Sequence, residues 1–296
     1  MLKFLLAVIW IALVTPSAFA WGKYGHVTIC EIAYRTISDP ARQELNRLMS
    51  FHEDNTRFNR ACLFADRFPR QRPAEHFVNY PRDLDEITNS NCGPANKCLI
   101  SAIADDASIL ADTNASDADR ARALVLLGHW VGDIHQPLHV SYGDDRGGNR
   151  IKKRGRCGAS NLHAVWDNCM IEHGVFKMNR IERLLGWGRF TKAYRAADRL
   201  IADISPEEVA NWTDAEIWEW ANESYSIVRQ PSVGYCEMNN GACWYDSDRE
   251  IYVEGQEERT IQMTQDYIDL HTPIADEQLQ KAGIRLAMLI DAALDP

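Results

Sequence analysis

Residues 129–139 of this 296-residue chain read HWVGDIHQPLH, and residues 163–167 read HAVWD. Each stretch holds a histidine and an aspartate four positions apart, and His139 lies between the two pairs. Residues four apart on a helix share a face, so each pair can aim a nitrogen and an oxygen at one point. Imidazole and carboxylate without thiolate suit zinc at a hydrolytic site. A single pair also fits a solvated helix face, but two pairs together with His139 favour a metal site. The first candidate ligands are His129, Asp133, His139, His163 and Asp167.

The sequence around these stretches is helical in pattern. Apolar residues recur at three and four positions over 26–37, 43–49, 97–111, 119–134, 181–202, 207–228 and 274–294. Pro137 should end the helix that carries the first pair, which puts His139 in the following turn. Ser205, Pro206 and Glu208 match a helix start with a capping box. Strand signals are sparse, and the segment 235–253 is the best place for a small hairpin or irregular loop. We therefore predict an all-α, multi-helix domain.

The N-terminus has the features of a cleaved secretory signal peptide. Lys3 precedes the apolar run LLAVIWIALV, and the small-residue ending TPSAFA follows. The run is short for a membrane span, although an uncleaved anchor is the alternative. We predict a signal peptide over 1–20, a single domain over 21–296 that begins at Trp21, and a secreted or periplasmic protein without a membrane anchor after processing.

All eight cysteines lie after the predicted signal peptide. An even count in an exported chain implies disulfides, whereas a cysteine-rich zinc site would show repeated C-x-x-C spacing. The sequence does not fix the connectivity, but local closure favours three pairs and leaves a fourth: Cys92–Cys98, Cys157–Cys169 and Cys236–Cys243, then Cys30–Cys62. Glycosylation sequons begin at Asn114, Asn211 and Asn222.

The formal net charge of −10 counts against a protein that binds polyanions by bulk charge. It does not exclude a local positive site, and bound zinc ions would add positive charge at one point. Two basic clusters flank the ligand motifs: Arg67, Arg70 and Arg72 on one side, and Arg150, Lys152, Lys153, Arg154 and Arg156 on the other. Solvated loops are the alternative interpretation for both clusters.

Further ligand candidates lie before the first pair. If the chain begins at Trp21, its free amine and its carbonyl can chelate a metal, because an α-amino group has a pKa of roughly 7.7–8. His26 follows one helical turn later. Asp66 and His76 are a further aspartate and histidine, each a weak signal when taken alone.

The motifs WGKYGH, FAD, EHFVN, GHWVGDIHQPLH, GGN and NLHAVWD occur in this order, and QKAGIRLAMLI lies near the C-terminus. In this order they resemble the secreted zinc-dependent single-strand-specific nucleases of the mung-bean-nuclease type, whose fold is shared with bacterial zinc phospholipase C. The resemblance spans the whole mature chain and fills all nine expected ligand positions.

The resemblance implies three zinc ions. The first would be held by Asp66, His76, His129 and Asp133. The second would be held by the amine and carbonyl of Trp21, His26 and a bridging Asp133. The third, more open to substrate, would be held by His139, His163 and Asp167. Four histidines match no ligand position and are expected to be structural, with His135 beside the ligands as a supporting group: His52, His135, His173 and His271.

The resemblance also implies an endonuclease that cleaves single-stranded DNA and RNA to 5′-phosphorylated products, with a companion 3′-nucleotidase activity. Asp66 and Asp133 would act through the zinc ions that they hold, as a water between two zincs becomes the nucleophile. Phe77, directly after His76, would stack on a base, unless it is a core phenylalanine. Asn149 and Lys152 are further expected substrate contacts. We expect a monomer.

Two departures from the family pattern affect the substrate contacts. The family commonly has a basic residue three positions after the FAD aspartate, where Pro69 stands here. Either Arg67 or Arg70 would take over its contact with the phosphate, or that contact is weakened. Asn79 replaces an acidic base-reading residue, and an amide both donates and accepts, which predicts an altered base preference. Two other functions stay open, a phospholipase C-type phosphodiesterase and a non-catalytic exported zinc-binding protein.

Overall fold

A computed structural model describes residues 21–53, 57–92, 95, 97–185 and 188–295. The predicted signal peptide, residues 1–20, lies outside the described residues. None of the helices in the described ranges is both long and apolar enough to cross a membrane.

The described part of the chain is mainly helical, which confirms the predicted all-α class. The helices are α1 (Lys23–Thr36), α2 (Asp39–Met49), α3 (Phe58–Ala61), α4 (Leu99–Ala111), α5 (Asp117–Ile134), α6 (Leu162–Ala164), α7 (Arg180–Leu185), α8 (Arg189–Ala202), α9 (Pro206–Thr213), α10 (Ile217–Val228) and α11 (Gln265–Leu294). Helix α6 runs directly into a π-helical segment, Val165–Val175. Short 3₁₀ turns occupy Phe64–Asp66, Pro73–His76, Pro137–His139 and Pro231–Val233.

Helix α5 forms the centre of the molecule. The Ser116 hydroxyl caps its first turn by accepting a hydrogen bond from the backbone N–H of Asp119. Every residue over 123–134 is buried, because α1, α2, α4 and α11 all pack on α5. A helix that is surrounded in this way can hold polar side chains out of water only if they have partners inside the protein. The first histidine–aspartate pair lies on this helix.

The strands are short and form three pairs. They are β1 (Val78–Asn79), β2 (Val140–Ser141), β3 (Lys152–Gly155), β4 (Glu237–Asn239), β5 (Ala242–Trp244) and β6 (Thr260–Met263). Strands β1 and β2 pair in parallel next to His76 and His139, and β3 pairs in parallel with β6. Strands β4 and β5 form the small hairpin that was predicted within 235–253.

Two of the predicted helical stretches are interrupted. The pattern over 181–202 divides into α7 and α8, and Gly188 precedes α8 with a φ of 70°, a left-handed conformation that favours glycine. The pattern over 207–228 divides into α9 and α10, because Glu216 starts a new helix with its own capping box. The predicted capping box of Ser205 and Glu208 is present at the start of α9.

Four disulfides tie the loops to the helices. The pairs are Cys30–Cys62, Cys92–Cys98, Cys157–Cys169 and Cys236–Cys243, which is the connectivity favoured by local closure. Cys157–Cys169 fastens the loop after β3 to the π-helical segment. Of the three sequon asparagines, Asn114 and Asn211 are exposed, whereas the Asn222 side chain accepts a hydrogen bond from the backbone N–H of Ile87.

Candidate metal centre

Helix α5 presents His129 and Asp133 on one face, and both side chains are fully buried. His26 of α1 lies against them, with its ring stacked on that of His129 at 4.0 Å between centroids. His26 Nε2 is 3.2 Å from Asp133 Oδ1. This close approach requires Gly132, because a Cβ atom there would lie 2.4 Å from His26 Nδ1.

Two 3₁₀ turns bring Asp66 and His76 to the same point. His76 Nδ1 lies 3.0 Å from Asp133 Oδ2 and 3.7 Å from Asp66 Oδ1. His129 Nε2 lies 3.5 Å from Asp133 Oδ2 and 3.7 Å from Asp66 Oδ2. The two oxygens of Asp133 therefore face different neighbours, one towards His26 and the other towards His76 and His129.

The second histidine–aspartate pair forms a separate group with His139. His163 lies on α6, Asp167 in the π-helical segment, and His139 in the turn after Pro137. His163 Nε2 is 3.2 Å from His139 Nε2 and 3.6 Å from Asp167 Oδ2. The other oxygen of Asp167 accepts a hydrogen bond from the Gln136 amide at 2.5 Å.

Backbone carbonyls fix the orientation of four of the five imidazoles. One nitrogen of each ring contacts a carbonyl oxygen, and the other nitrogen points into the centre. The pairs are His76 Nε2 with Gln71, His129 Nδ1 with Cys62, His139 Nδ1 with His76, and His163 Nδ1 with Gly147. A ring held in this way keeps the tautomer whose lone pair faces the centre, as in metal-binding histidines generally.

The donor atoms of these groups fit a bound metal ion. Both oxygens of Asp133, one oxygen of Asp167 and both nitrogens of His26 are buried without a hydrogen-bond partner. Buried carboxylate oxygens are rarely left this way, because desolvation without a partner is costly. Two nitrogens that bind one zinc tetrahedrally at about 2.05 Å lie roughly 3.3 Å apart. The 3.2 Å between His139 Nε2 and His163 Nε2 agrees with that spacing.

Burial shifts the pKa values of the centre in the direction that favours metal binding by the imidazoles. Burial, with a smaller contribution from Arg70, lowers the pKa of His26 and of His163 to about 4. Burial also lowers the pKa of the other three rings, those of His76, His129 and His139. The rings are therefore neutral at neutral pH and available as ligands. Burial raises the pKa of Asp133 and Asp167 well above the usual value, so their ionisation needs a nearby cation.

Trp21 lies at the edge of the centre. Its side chain is fully buried, and the next residue, Gly22, donates a backbone hydrogen bond of 2.6 Å to the carbonyl of Asp167. This hydrogen bond places the backbone of Trp21 one residue from a contact with Asp167 of the second histidine–aspartate pair.

A cation and two exposed aromatic rings lie close in sequence to Asp66 and His76. Arg70 Nε lies 3.1 Å from Asp66 Oδ1, and Arg67 is exposed on the same loop. Phe77 is 39% exposed, which excludes the core position that was its alternative. Phe68 is fully exposed two residues after Asp66. Sequence reasoning passed over Phe68, although an aromatic residue inside the basic segment RFPR was a usable signal.

Several residues singled out in the sequence have other contacts. The guanidinium of Arg72 bonds to Glu75 and Asp106, and Lys152 Nζ lies 2.8 Å from Glu258. The Asn149 amide donates to the carbonyl of Arg146 at 2.7 Å. None of these contacts joins the three side chains to the metal-centre groups, so the expected substrate contacts of Asn149 and Lys152 stay predictions.

The side chain that donates a hydrogen bond to a proposed ligand in this turn is Gln136 rather than His135. The His135 ring contacts the Val131 carbonyl and accepts from the buried guanidinium of Arg285 at 2.9 Å. Gln136, the next residue, donates to Asp167 and accepts from the backbone N–H of Leu138. The prediction for His135 was wrong because it considered only position in the turn, and adjacent side chains there point in different directions.

Three groups of histidine and aspartate in the described residues can each hold a metal ion. They are His26, His129 and Asp133; Asp66, His76 and His129; and His139, His163 and Asp167. A helical domain around such a buried cluster defines a candidate metal-dependent hydrolase.

Comparison with known proteins gives the family. The family model described as S1/P1 Nuclease matches residues 21–295. Endonuclease 2 from Arabidopsis thaliana is 26% identical over 96% of this chain and 93% of its own length. Nuclease S1 from Aspergillus oryzae is 26% identical over 92% of this chain and 91% of its own length. Nuclease P1 from Penicillium citrinum is 29% identical over 65% of this chain and 69% of its own length.

The chain belongs to the S1/P1 nuclease family. This membership confirms the resemblance drawn from the motifs and the prediction of a hydrolytic enzyme that acts on nucleic acids.

Proposed function

We propose that this protein is a secreted endonuclease with three zinc ions, which cleaves single-stranded DNA and RNA to 5′-phosphorylated products and also removes phosphate from 3′-nucleotides. The observation that carries the proposal is Asp133, whose two buried oxygens have no hydrogen-bond partner and face different histidine groups. A carboxylate in this situation suits a bridge between two cations. Membership of a nuclease family favours nucleic acid over lipid as the substrate.

The proposed ligand sets follow the motif match. Asp66, His76, His129 and Asp133 would hold the first zinc. The amine and carbonyl of Trp21, His26 and Asp133 would hold the second, which requires removal of residues 1–20. His139, His163 and Asp167 would hold the third. Bound zinc would supply a nucleophilic water at neutral pH and offset negative charge on the phosphate.

The chain's own residues position the substrate. Arg70 uses Nε to contact Asp66, which leaves its other N–H groups for a phosphate oxygen. Phe77 lies directly after the ligand His76, and its exposed ring offers a surface on which an unpaired base can stack. Asn79 follows on β1 and would read the base edge as both donor and acceptor. A base in a duplex could not reach these groups without unstacking, which is the proposed origin of single-strand preference.

The test uses protein that begins at Trp21, purified with and without a chelator. We expect about three zinc ions per chain by elemental analysis, and cleavage of single-stranded DNA and RNA that stops on chelation and returns with zinc. End-labelling should find phosphate on the 5′ ends of the products. The matched control, Asp133→Ala, should lose both zinc and activity. A zinc-loaded wild-type protein that cleaves neither polymer, but turns over a lipid phosphodiester, would overturn the proposal.

A further inference from the structure

A large cavity lies between the π-helical segment, α8 and α11, and none of the nine proposed zinc ligands lines it. Its volume is about 960 Å³. The residues that matter for its chemistry are of two kinds. Arg156 and Arg183 both act on His173, and Lys177 lies four residues after His173; we call these four residues the basic end. Arg199 with Asp203 and Asp276 forms a separate ion-paired group, and Asp269 also lines the cavity.

The carboxylates that line the cavity already have partners within the protein. Arg199 lies 2.8 Å from Asp276 and 3.9 Å from Asp203. Asp269 accepts a hydrogen bond from the side chain of Gln265 at 2.8 Å. One guanidinium among three carboxylates leaves a net negative charge there, so an anion would be attracted only at the basic end.

The basic end is not neutralised. Among the described residues, no carboxylate forms an ion pair with Arg156, Lys177 or Arg183. Arg183 donates to the backbone carbonyl of Met178 instead. Unpaired cations grouped in one place are notable in a chain whose net charge is −10, because acidic residues are abundant elsewhere on it.

The pKa of His173 shows that Arg156 and Arg183 act on its ring, and Lys177 lies four residues further along the chain. Burial, Arg183, Arg156 and Lys153 together lower the pKa of the half-buried His173 ring to about 4. The ring is therefore neutral at neutral pH and can donate one hydrogen bond. An anion among these groups would relieve the repulsion between the cations and accept hydrogen bonds from the guanidinium groups.

One segment connects this end of the cavity with the metal centre. Asp167 and His173 both lie on the π-helical segment, Val165–Val175. The two residues are six positions apart on this segment. The Cys157–Cys169 disulfide holds the loop that carries Arg156 onto the same segment. The cavity and the metal centre therefore share one structural segment.

We propose that the basic end of this cavity binds a backbone phosphate of the strand that is cleaved at the metal centre. It would act as a second attachment point, for which a guanidinium group offers a bidentate contact and Lys177 a point charge. This inference rests on the proposed nuclease function. Inorganic phosphate has the same chemistry, so the experiments below separate a free ion from a strand.

The first experiment compares substrates of two lengths with the zinc-loaded protein. Lys177→Glu should raise KM for a 12-nucleotide single strand by about fivefold without a change in kcat, and leave cleavage of a dinucleotide unchanged. Lys97→Glu is the matched control, because Lys97 is 65% exposed and does not line the cavity. Adding Arg156→Glu should enlarge the effect. An unchanged KM for the long strand, an equal effect on the dinucleotide, or an equal effect of Lys97→Glu would each overturn the proposal.

The second experiment needs no turnover, so it remains decisive if the nuclease proposal fails. The ring of His173 is followed by NMR during pH titrations of the zinc-loaded protein. A phosphorothioate 12-nucleotide strand should raise the pKa of His173. A rise with inorganic phosphate as well would support a phosphate site that also accepts the free ion. A rise with inorganic phosphate alone, or with neither ligand, would overturn the strand-binding proposal.

Discussion

The two histidine–aspartate pairs have the same spacing but different surroundings. His129 and Asp133 lie on a regular α-helix in the centre of the molecule, and both oxygens of Asp133 lack a hydrogen-bond partner. His163 and Asp167 lie where α6 changes into the π-helical segment, and Gln136 occupies one oxygen of Asp167. Asp133 therefore has two oxygens for metal ions and Asp167 has one. The comparison teaches that spacing selects the candidate ligands, whereas neighbouring donors set how many oxygens each carboxylate leaves for the proposed metal ions.

The largest expected difference between the pairs comes from removing each carboxylate. Asp133→Ala should lose two zinc ions and Asp167→Ala one, as measured by elemental analysis. The activity of Asp133→Ala should fall by more than about 10³-fold, because loss of one transition-state donor already costs roughly 10²–10³-fold. Asp133→Asn, which keeps the side-chain size, separates metal loss from a packing defect. Equal zinc contents in the two alanine variants would break the comparison.

The next prediction concerns the free amine of Trp21. A protein with one extra glycine before Trp21 keeps every ligand side chain but has no amine at that position. It should lose one zinc ion on the Asp133 side, keep the ion at Asp167, and lose activity by roughly 10²-fold. The control begins at Trp21. Full zinc content in the extended protein would show that the amine is not a ligand.

A smaller effect is expected from Gln136→Leu, which makes the second pair resemble the first by freeing an oxygen of Asp167. Loss of an orienting partner typically weakens metal binding by about 10–100-fold. Competition with a graded series of chelators should find this weakening for one zinc ion only. If all three ions weaken together, the Gln136 contact is not specific to the second pair.

The smallest expected effect is a pH dependence of the stability that bound zinc adds to the fold. Both histidine–aspartate pairs contribute to it. Burial raises the pKa of Asp133 and Asp167, so the metal-free folded protein holds protons that zinc must displace. The rise in Tm on adding zinc should therefore be larger at about pH 7 than at about pH 5. Differential scanning calorimetry measures it. A larger zinc effect at the lower pH would contradict the raised carboxylate pKa values.

Differential scanning calorimetry of the metal-free protein tests the lowered pKa values of two histidines, His26 and His163. The folded-state pKa of His26 and His163 is about 4, below the ordinary value of 6.5. The unfolded chain therefore takes up protons between these values that the folded chain does not. The contribution of these rings to stability falls as the pH is lowered through that range.

Much of the fold and the metal centre could be predicted from local sequence patterns. Helix α5, its end before Pro137 and the capping box at Ser205 all depend on residues within a few positions of one another. The ligand candidates could be found because the i, i+4 spacing is itself local, and the motif order supplied Asp66 and His76.

What could not be predicted depends on contacts between distant segments. Gln136 reaches Asp167 across 31 positions, and no periodicity links them. Strand β3 pairs in parallel with β6, yet its sequence KKRG has no alternation of apolar and polar residues. The buried guanidinium of Arg285 bonds to Glu223 across 62 positions. Each of these contacts exists only after the helices have assembled.

Gly132 has a consequence for how such sites are recognised in other sequences. It binds nothing, but a side chain at this position would occupy the space of the His26 ring. In a deep mutational scan it should tolerate substitution as poorly as the ligands on either side of it. For the first pair the informative signature is therefore His-x-x-Gly-Asp, because the ring of His26 needs the space beside the helix, whereas the second pair has Trp166 at the equivalent position.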